Sequence, residues 1–570
     1  MKRFLTVFFL CISILAIIFV SQGTGLFSGN ARNVIVLISD GTSVPILSLS
    51  RWYQWGVLDG DARLAVDPYL SGLVKTHSSD AVIGDSAPTS SNYFTGYWSR
   101  AGFVSTYPDQ TPNDIYPVDP ARAFQPLATV GEIMRIQQGK SVGLVVTCEF
   151  PHATPADAMS HSSKRTDYAS IGNVMIHNGI DVMFGGGTNY ISDGQKEYLN
   201  STGTKYIEND LEAFRGFNGN KLWALFGNVA LPYDIDRDPA AVPSLAEMTA
   251  KALDILSRNK KGFFLMVEGS KVDWAAHYHD VIGAVTEFLA FDAAVKEAIE
   301  FAKKDKNTIV LVLADHGTGG ITFGGPKTNL NFDKLPLEDV IGPLRNIKLT
   351  PEGLARKINS DKITPGDIPA FVEQYTGVND LSEDETTSIL SAIDYFANAN
   401  EYIDLPDEKK FKLPILETVL RTILTSRTVI GFTTAGHTGE DVFLASYHPN
   451  GRIARGLLDG TEINKYILAE LGLTGALDRL TNRIFSPHTI VFEGMEYEII
   501  NDQDAGTFTL KVNNGNKSLA IEGNTNIAVI NGKSVRLPSV AVYVSENETF
   551  YLPRNLREQI KRLSNIPLRF

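Results

Sequence analysis

Cysteine is almost absent from the chain: Cys11 and Cys148 are the two in 570 residues, and Cys11 falls in the N-terminal leader. Once that leader is removed, one thiol cannot close a bridge, so a monomer stapled by disulfides is excluded. Positive charge is also in short supply. The chain has 52 Lys and Arg against 65 Asp and Glu, a formal charge of −13 that becomes −15 when Lys2 and Arg3 leave with the leader. An acidic chain of this kind is not built to hold nucleic acid non-specifically. Repeats of solenoid period are missing, which excludes a stacked array. A hydrophobic fraction of 43% with 21% charged residues excludes disorder as the main state.

The leader "MKRFLTVFFLCISILAIIFVSQ" pairs a basic start with an apolar run from Phe4 to Val20 and lacks a clean small-x-small cleavage site. It reads as a signal peptide or an uncleaved membrane anchor over residues 1–25. Export follows, with the catalytic domain periplasmic, extracellular or anchored to the envelope.

Short β-branched runs, "NVIVLI", "SVGLVVT", "DVMFGGG", "GFFLMVE", "TIVLVLA" and "VFLASY", read as buried parallel strands. Helical patterns such as "TVGEIMRIQQGK" and "LAEMTAKALDILSRN" lie between them. The alternation predicts an α/β three-layer sandwich with a largely parallel central sheet over residues 26–484. Residues 335–428 break the rhythm with helical patterns and no convincing strand, so they read as a helical insertion, a lid or an interface element. Residues 485–570 alternate polar and apolar residues, with Asn514-Gly515 and Asn531-Gly532 as hairpin signals, and read as a small all-β appendage.

The stretch "GDSAPTSSNY" also lacks something: no histidine stands beside Ser86 to activate it. Pro88 suits a first helical turn and Asp85 or Ser86 suits the cap, which places Ser86 at a helix N-terminus, where phosphate groups bind. Polar residues cluster at the expected carboxyl ends of strands, where open α/β sheets hold ligands. Asp40 follows the first strand, Glu268 ends another with Asp273 and His277 beyond it, and Asp315-His316 end a third. Four carboxylates at one site repel one another unless cations intervene. Asp273 and His277 stand at i, i+4 and can share an ion, and His437 lies beside two glycines before "VFLASY". His and Asp together suit zinc, whereas carboxylates with hydroxyls suit magnesium. A metal bound to Ser86 would lower its pKa without a histidine base.

The motifs "SDG", "DSAPTS", "HATPADAMSHSSKR", "VEGSKVDWAAH", "LADHGTGG" and "GHTGED", in this order over about residues 32–475, resemble the alkaline phosphatase family. The resemblance implies a phosphate monoesterase with two Zn2+ ions and a third site usually holding Mg2+. It implies Ser86 as nucleophile through a phosphoserine and Arg165 as the phosphate-binding arginine. Asp273, His277 and His437 are then ligands of the first zinc, and Asp40, Asp315 and His316 of the second. Asp40, Thr154 and Glu268 are those of the third ion. A homodimer is implied in the same way. Three departures stand out. His152 takes a position where some members have Asp, which makes the third site less negative and leaves Mg2+ or a softer ion, Zn2+ or Co2+, as its metal. Trp274, beside the phosphate, stands where some members have Lys. Pro88 and Ser91 depart from the usual serine motif, a change that a first helical turn tolerates. The alternatives are a phosphodiesterase or sulfatase of the wider superfamily, or a metal-dependent phosphate-binding surface protein.

Overall fold

The computed structural model describes residues 31–55, 63–397, 415–503, 506–514 and 517–558. The expected leader lies outside the described residues, as does the stretch 398–414 of the expected insertion.

Ten strands form the central sheet: β1 (Asn33–Ser39), β2 (Leu70–Lys75), β3 (Ser141–Glu149), β4 (Val182–Gly186), β5 (Lys205–Glu208), β6 (Leu222–Leu225), β7 (Phe263–Gly269), β8 (Thr308–Leu313), β13 (Val442–Tyr447) and β14 (Gly456–Asp459). Their order is β14-β2-β13-β8-β1-β7-β3-β4-β6-β5. All six sequence-predicted strands are in it, and β1, β7 and β8, at its centre, are buried along their whole length. A strand covered on both faces must be apolar throughout, and that continuity is what made these strands readable. β2, β5, β6 and β14 were not readable: they have four to six residues, and β2 and β14 are largely exposed.

One strand corrects the parallel reading. β13 pairs antiparallel with both β8 and β2, while every other pairing in the sheet is parallel. The chain leaves β8 through β9 (Gly317–Thr318), which pairs antiparallel with β12 (His437–Thr438), and β12 leads into β13. Running backwards in this way is what brings His437, a residue preceding its strand, to the carboxyl edge of the parallel strands.

Two groups of helices cover the sheet. Val44–Gln54, Leu245–Leu256 and Val281–Asp305 pack together, and Ser86–Thr95, Val130–Gln138, Ala153–Met159 and Gly460–Glu470 form the other group. Phe264, on β7 opposite Val34 and Val142, meets the ring of Phe94 edge-on at 5.9 Å and so ties the sheet centre to the Ser86 helix. Phe264→Ala is expected to cost about 3–5 kcal/mol, measured as a fall in the denaturant midpoint at constant slope.

Within residues 335–428 the described elements are helices at Leu337–Arg345, Pro351–Asp361, Ile368–Thr376, Glu383–Ala397 and Leu416–Ser426, with a single helical turn at Pro365–Asp367. At their base a two-stranded ribbon joins β10 (Thr322–Phe323) to β11 (Ile430–Gly431). The last of these helices bonds to the segment just after His277: Thr425 donates to the His279 carbonyl at 2.9 Å, and Arg421 donates to that of Tyr278.

The C-terminal sheet is antiparallel throughout, in the order β15-β21-β20-β19-β18-β17-β16. Its strands are β15 (Ser486–Pro487), β16 (Glu496–Asp502), β17 (Thr507–Asn514), β18 (Lys517–Glu522), β19 (Thr525–Ile530), β20 (Lys533–Val544) and β21 (Thr549–Leu552). It has an apolar core of its own around Leu510, Ile521, Ala528 and Phe550. Asn531 and Gly532 both adopt positive φ, 49° and 78°, and close the β19–β20 hairpin as a two-residue turn. "HTIVFEGMEYEII" is not one strand: His488–Val491 form a helical turn after Pro487, and β16 starts at Glu496. Proline fixes the entry angle of that turn, and Gly494 at φ 75° reverses the chain behind it.

Candidate active site

The Ser86 helix begins as its sequence dictates. Asp85 is the N-cap, its carboxylate accepting from the Ser86 N–H at 2.9 Å, and Ser86 is the first helical residue. Pro88 falls in the first turn, where the missing N–H has no intrahelical acceptor to lose. The small hydroxyl residues behind it have a structural task. Ser90 and Ser91 donate to the two oxygens of buried Asp157, at 2.6 and 2.5 Å, and the Ser105 N–H adds a third bond at 2.7 Å. Asp157 lies on the helix Ala153–Met159, so these bonds fix Ser86 relative to Thr154 and His152. Asp157→Ala removes an acceptor from three donors; Ser90 Oγ keeps the Ser86 carbonyl and Ser105 N–H keeps Ser91 Oγ, while Ser91 Oγ is left with a 3.4 Å contact to the Phe103 carbonyl. The substitution is expected to cost about 1–3 kcal/mol and to raise KM through misplacement of Ser86, read from a thermal melt and a saturation curve.

Asp273, His277 and His437 bring one donor atom each within 4.8 Å of one another. Both imidazoles have fixed tautomers. His277 Nδ1 lies 2.6 Å from the Ala435 carbonyl and His437 Nδ1 lies 2.9 Å from that of Gly84, and a carbonyl only accepts. Each Nδ1 is therefore the N–H, and the two Nε2 lone pairs face each other at 3.0 Å, with Asp273 Oδ2 3.4 Å from His277. Without an ion this costs a proton: the Asp273 hydrogen bond raises His277 to about 9. Burial pushes Asp273 upward, but the bond to His277 and the neighbouring imidazoles outweigh it and hold the carboxyl below its usual range.

Asp40, Asp315 and His316 form a second such group, fully buried. Thr318 sets its polarity. The Thr318 hydroxyl donates to Asp273 Oδ1 at 2.6 Å, so its oxygen accepts from His316 Nδ1–H at 3.2 Å. The Nε2 lone pair of His316 then faces Asp40 Oδ1 at 3.4 Å, Asp315 Oδ2 at 3.5 Å and Ser86 Oγ at 3.2 Å. Asp40 Oδ2 and Asp315 Oδ2 have no hydrogen-bond partner. Burial, together with Asp315, Asp273 and Glu268, drives the Asp40 carboxyl well above its usual range. Acceptor atoms of Asp40, Asp315 and His316 converge here on the single hydroxyl proton of Ser86, and a divalent cation is what this arrangement fits.

Glu268, Thr154 and His152 lie beside this group. Glu268 Oε1, Thr154 Oγ1 and His152 Nδ1 are buried without partners, and burial with the Asp315 charge lifts Glu268 to about 8. Cys148, at the end of β3, reaches Glu268 Oε2 at 3.6 Å.

Arg165 stands over Ser86. Its Nη1 donates to Asp85, the residue preceding Ser86, and its Nη2 lies 3.3 Å from His152 Nε2. Burial pushes Asp85 upward, but the guanidinium outweighs it and holds the carboxyl below its ordinary value. Trp274, half-buried, sits with its ring 6.3 Å from that of His152. Lys271 does not supply the missing cation there: its ammonium donates to the Leu231 carbonyl at 3.0 Å and lies over the Tyr233 ring. Every residue expected from sequence is thus near this one edge of the sheet. Asp85, Thr318 and Cys148 were missed as site residues. Asp85 could have been found as the acid preceding the serine, and Cys148 by its place at a strand end. Thr318 carries no local signal.

A buried hydroxyl between cation-binding groups, with a fixed guanidinium above it at the carboxyl edge of an α/β sheet, defines a metal-dependent hydrolase of anionic esters. The sequence model of the family described as alkaline phosphatase matches residues 31–473. The chain is 34% identical over 447 residues to alkaline phosphatase 4 of Bacillus subtilis, covering 76% of this chain and 87% of that one. To alkaline phosphatase 3 of the same organism it is 32% identical over 456 residues, covering 77% and 89%. Among solved structures, the cold-active alkaline phosphatase of a Shewanella species superposes with a TM-score of 0.64 at 27% identity, covering 77% of this chain and 99% of that one. The chain belongs to the alkaline phosphatase family and is a phosphoric monoester hydrolase.

Proposed function

We propose that the protein is an exported alkaline phosphatase that passes the phosphoryl group of a phosphate monoester first to Ser86 and then to water. The observation that carries this reading is the Ser86 hydroxyl, 3.2 Å from His316 Nε2 and 3.5 Å from Asp40 Oδ1, beneath a guanidinium held by Asp85. The apolar leader supports export, the donor sets support two zinc ions, at Asp273–His277–His437 and at Asp40–Asp315–His316, and the buried, partnerless Glu268 Oε1 and Thr154 Oγ1 support a third divalent ion. Bound there, the ions lower the pKa of the serine hydroxyl and of water and neutralise the attacking and leaving oxygens.

The chain's own groups do the rest. Ser86 Oγ forms an O–P bond as the ester P–O bond breaks, and its proton, passed to solvent, is made up by the proton that the departing alkoxide takes from water to leave as the alcohol. Water then displaces Ser86 from phosphorus, releasing inorganic phosphate. Two in-line displacements leave the configuration at phosphorus retained. Arg165 forks onto two non-bridging oxygens; a monoester has three, so two can meet the fork while the third faces the cation-binding groups beside Ser86, whereas a diester has two in all and spares the fork only one. The Asp85 carboxylate holds the fork in place before substrate arrives. Trp274 walls the phosphate site without adding charge.

Arg165→Ala is expected to lower kcat/KM for p-nitrophenyl phosphate by about 10²–10³-fold, as loss of a transition-state donor does. Hydrolysis of bis-p-nitrophenyl phosphate should change much less. Equal losses on both esters, or a wild-type protein that prefers the diester, would favour the phosphodiesterase reading.

A further inference from the structure

We propose that the third ion is held by a thiolate, with Cys148 Sγ, a ring nitrogen of His152 and a Glu268 carboxylate oxygen as its ligands, and that the site therefore takes zinc or cobalt(II) in preference to magnesium. The inference rests on the alkaline phosphatase reading of the centre, to which it adds a ligand that the family resemblance does not supply.

Cys148, His152 and Glu268 offer donor atoms within 4.8 Å of one another, and all three residues are buried. The thiol is held in place by its backbone. Thr147 N and Cys148 N both donate to Ser270 Oγ, at 3.2 and 3.1 Å, which clamps the end of β3 to the turn after β7, the strand that carries Glu268. Sγ then points at Glu268 Oε2 at 3.6 Å. Around it His152 Nδ1, Glu268 Oε1 and Thr154 Oγ1 are buried with no hydrogen-bond partner. Orphaned polar atoms are costly enough that three together call for a shared partner, and Cys148 Sγ, within 4.8 Å of the His152 and Glu268 donor atoms, is the soft donor in reach of it.

The donor chemistry selects the ion. A thiolate, an imidazole and a carboxylate form the mixed set that zinc and cobalt(II) accept at four-coordinate sites, whereas magnesium demands oxygen ligands in an octahedron. On binding, the thiol proton passes to solvent and Sγ becomes the ligand. The imidazole also changes partners. If Nε2 takes the ion, the lone pair now facing Arg165 is spent. If Nδ1 takes it, Nε2 becomes an N–H and opposes the Arg165 donor. Either way the Arg165–His152 contact is lost and the guanidinium stays on Asp85, beside Ser86.

The test is zinc X-ray absorption on the wild-type protein loaded with three equivalents, which needs no variant to fold. A sulfur shell at about 2.3 Å, at one sulfur per three zinc ions, is expected, and a shell of nitrogen and oxygen alone would overturn the proposal. In parallel, metal-free protein is titrated with cobalt(II). A thiolate-to-cobalt charge-transfer band should grow with one of the three equivalents and be absent from Cys148→Ser, whose affinity for that equivalent falls by roughly 10²-fold or more. A band that survives in Cys148→Ser, or a third equivalent taken equally well by magnesium, would refute the thiolate. The two readings fail separately: phosphatase turnover without a sulfur shell removes only this inference, and a sulfur shell without turnover on any phosphate ester removes only the proposed function.

Discussion

Ser86→Ala should abolish phosphate monoester turnover, lowering kcat by about four orders of magnitude or more, while leaving metal content and inorganic phosphate binding in place. The expectation is specific because the ligand groups and the anion-binding group do not depend on the hydroxyl. Asp273, His277 and His437 are fixed by Thr318 and by the carbonyls of Ala435 and Gly84. Arg165 is fixed by Asp85. The helix start also survives, since its cap comes from the Asp85 side chain and the Ser86 backbone. Metal analysis and phosphate titration alongside the rate measurement separate a lost nucleophile from a collapsed site. A variant that retains its metal and phosphate affinity but turns over at the wild-type rate would remove Ser86 from the mechanism.

Removing the ions should have the next largest effect, on activity and stability together. A site saturated a thousandfold above its Kd contributes about 4 kcal/mol to the folded state, so chelation should depress the melting temperature as well as end turnover. It should also change how stability depends on pH. In the metal-free protein burial raises Glu268 from 4.5 to about 8, and the Asp273 bond raises His277 from 6.5 to about 9. For Glu268 the raised value means that the neutral form is favoured by folding. Each group binds its proton more tightly folded than unfolded. Their contributions are therefore complete at low pH and disappear as pH rises through those values. The metal-free protein should lose several kcal/mol between pH 5 and pH 9, whereas the metal-loaded protein, its donors held by cations, should stay level over that range. Melting curves with and without chelator check this. Matching pH profiles would show that the carboxylates and imidazoles are not metal ligands. Chelation also decides a rival use of the Ser86–His316 contact: a metal-free dyad would keep working.

The sheet centre was legible because parallel strands covered on both faces carry unbroken apolar runs, and acids and histidines at their ends had nowhere else to converge. The direction of β13 was not legible, since "VFLASY" pairs equally well either way; only the β9–β12 pairing reveals it. For the same reason His437 was legible as a ligand through the motif "GHTGED" and not through its place in the sheet. Asp85 read as a helix cap, and it is one, but the same carboxylate also holds Arg165, from a residue 80 positions away. Cys148 sat in plain view within "SVGLVVTCE", yet its meaning depends on Glu268 of the neighbouring strand, a contact across 120 residues. Within the expected all-β appendage, Pro487 and Gly494 set a helical turn at His488–Val491 by local backbone preference that the alternation of side chains had masked.

The most direct test of the account is to quench steady-state hydrolysis of p-nitrophenyl phosphate in acid and map the phosphorylated peptide by mass spectrometry. One phosphoryl group on the hydroxyl of Ser86, absent from the chelated protein and from Ser86→Ala, is the predicted result. Phosphate on another residue, or no covalent phosphate together with inversion at a chiral phosphorus, would contradict it.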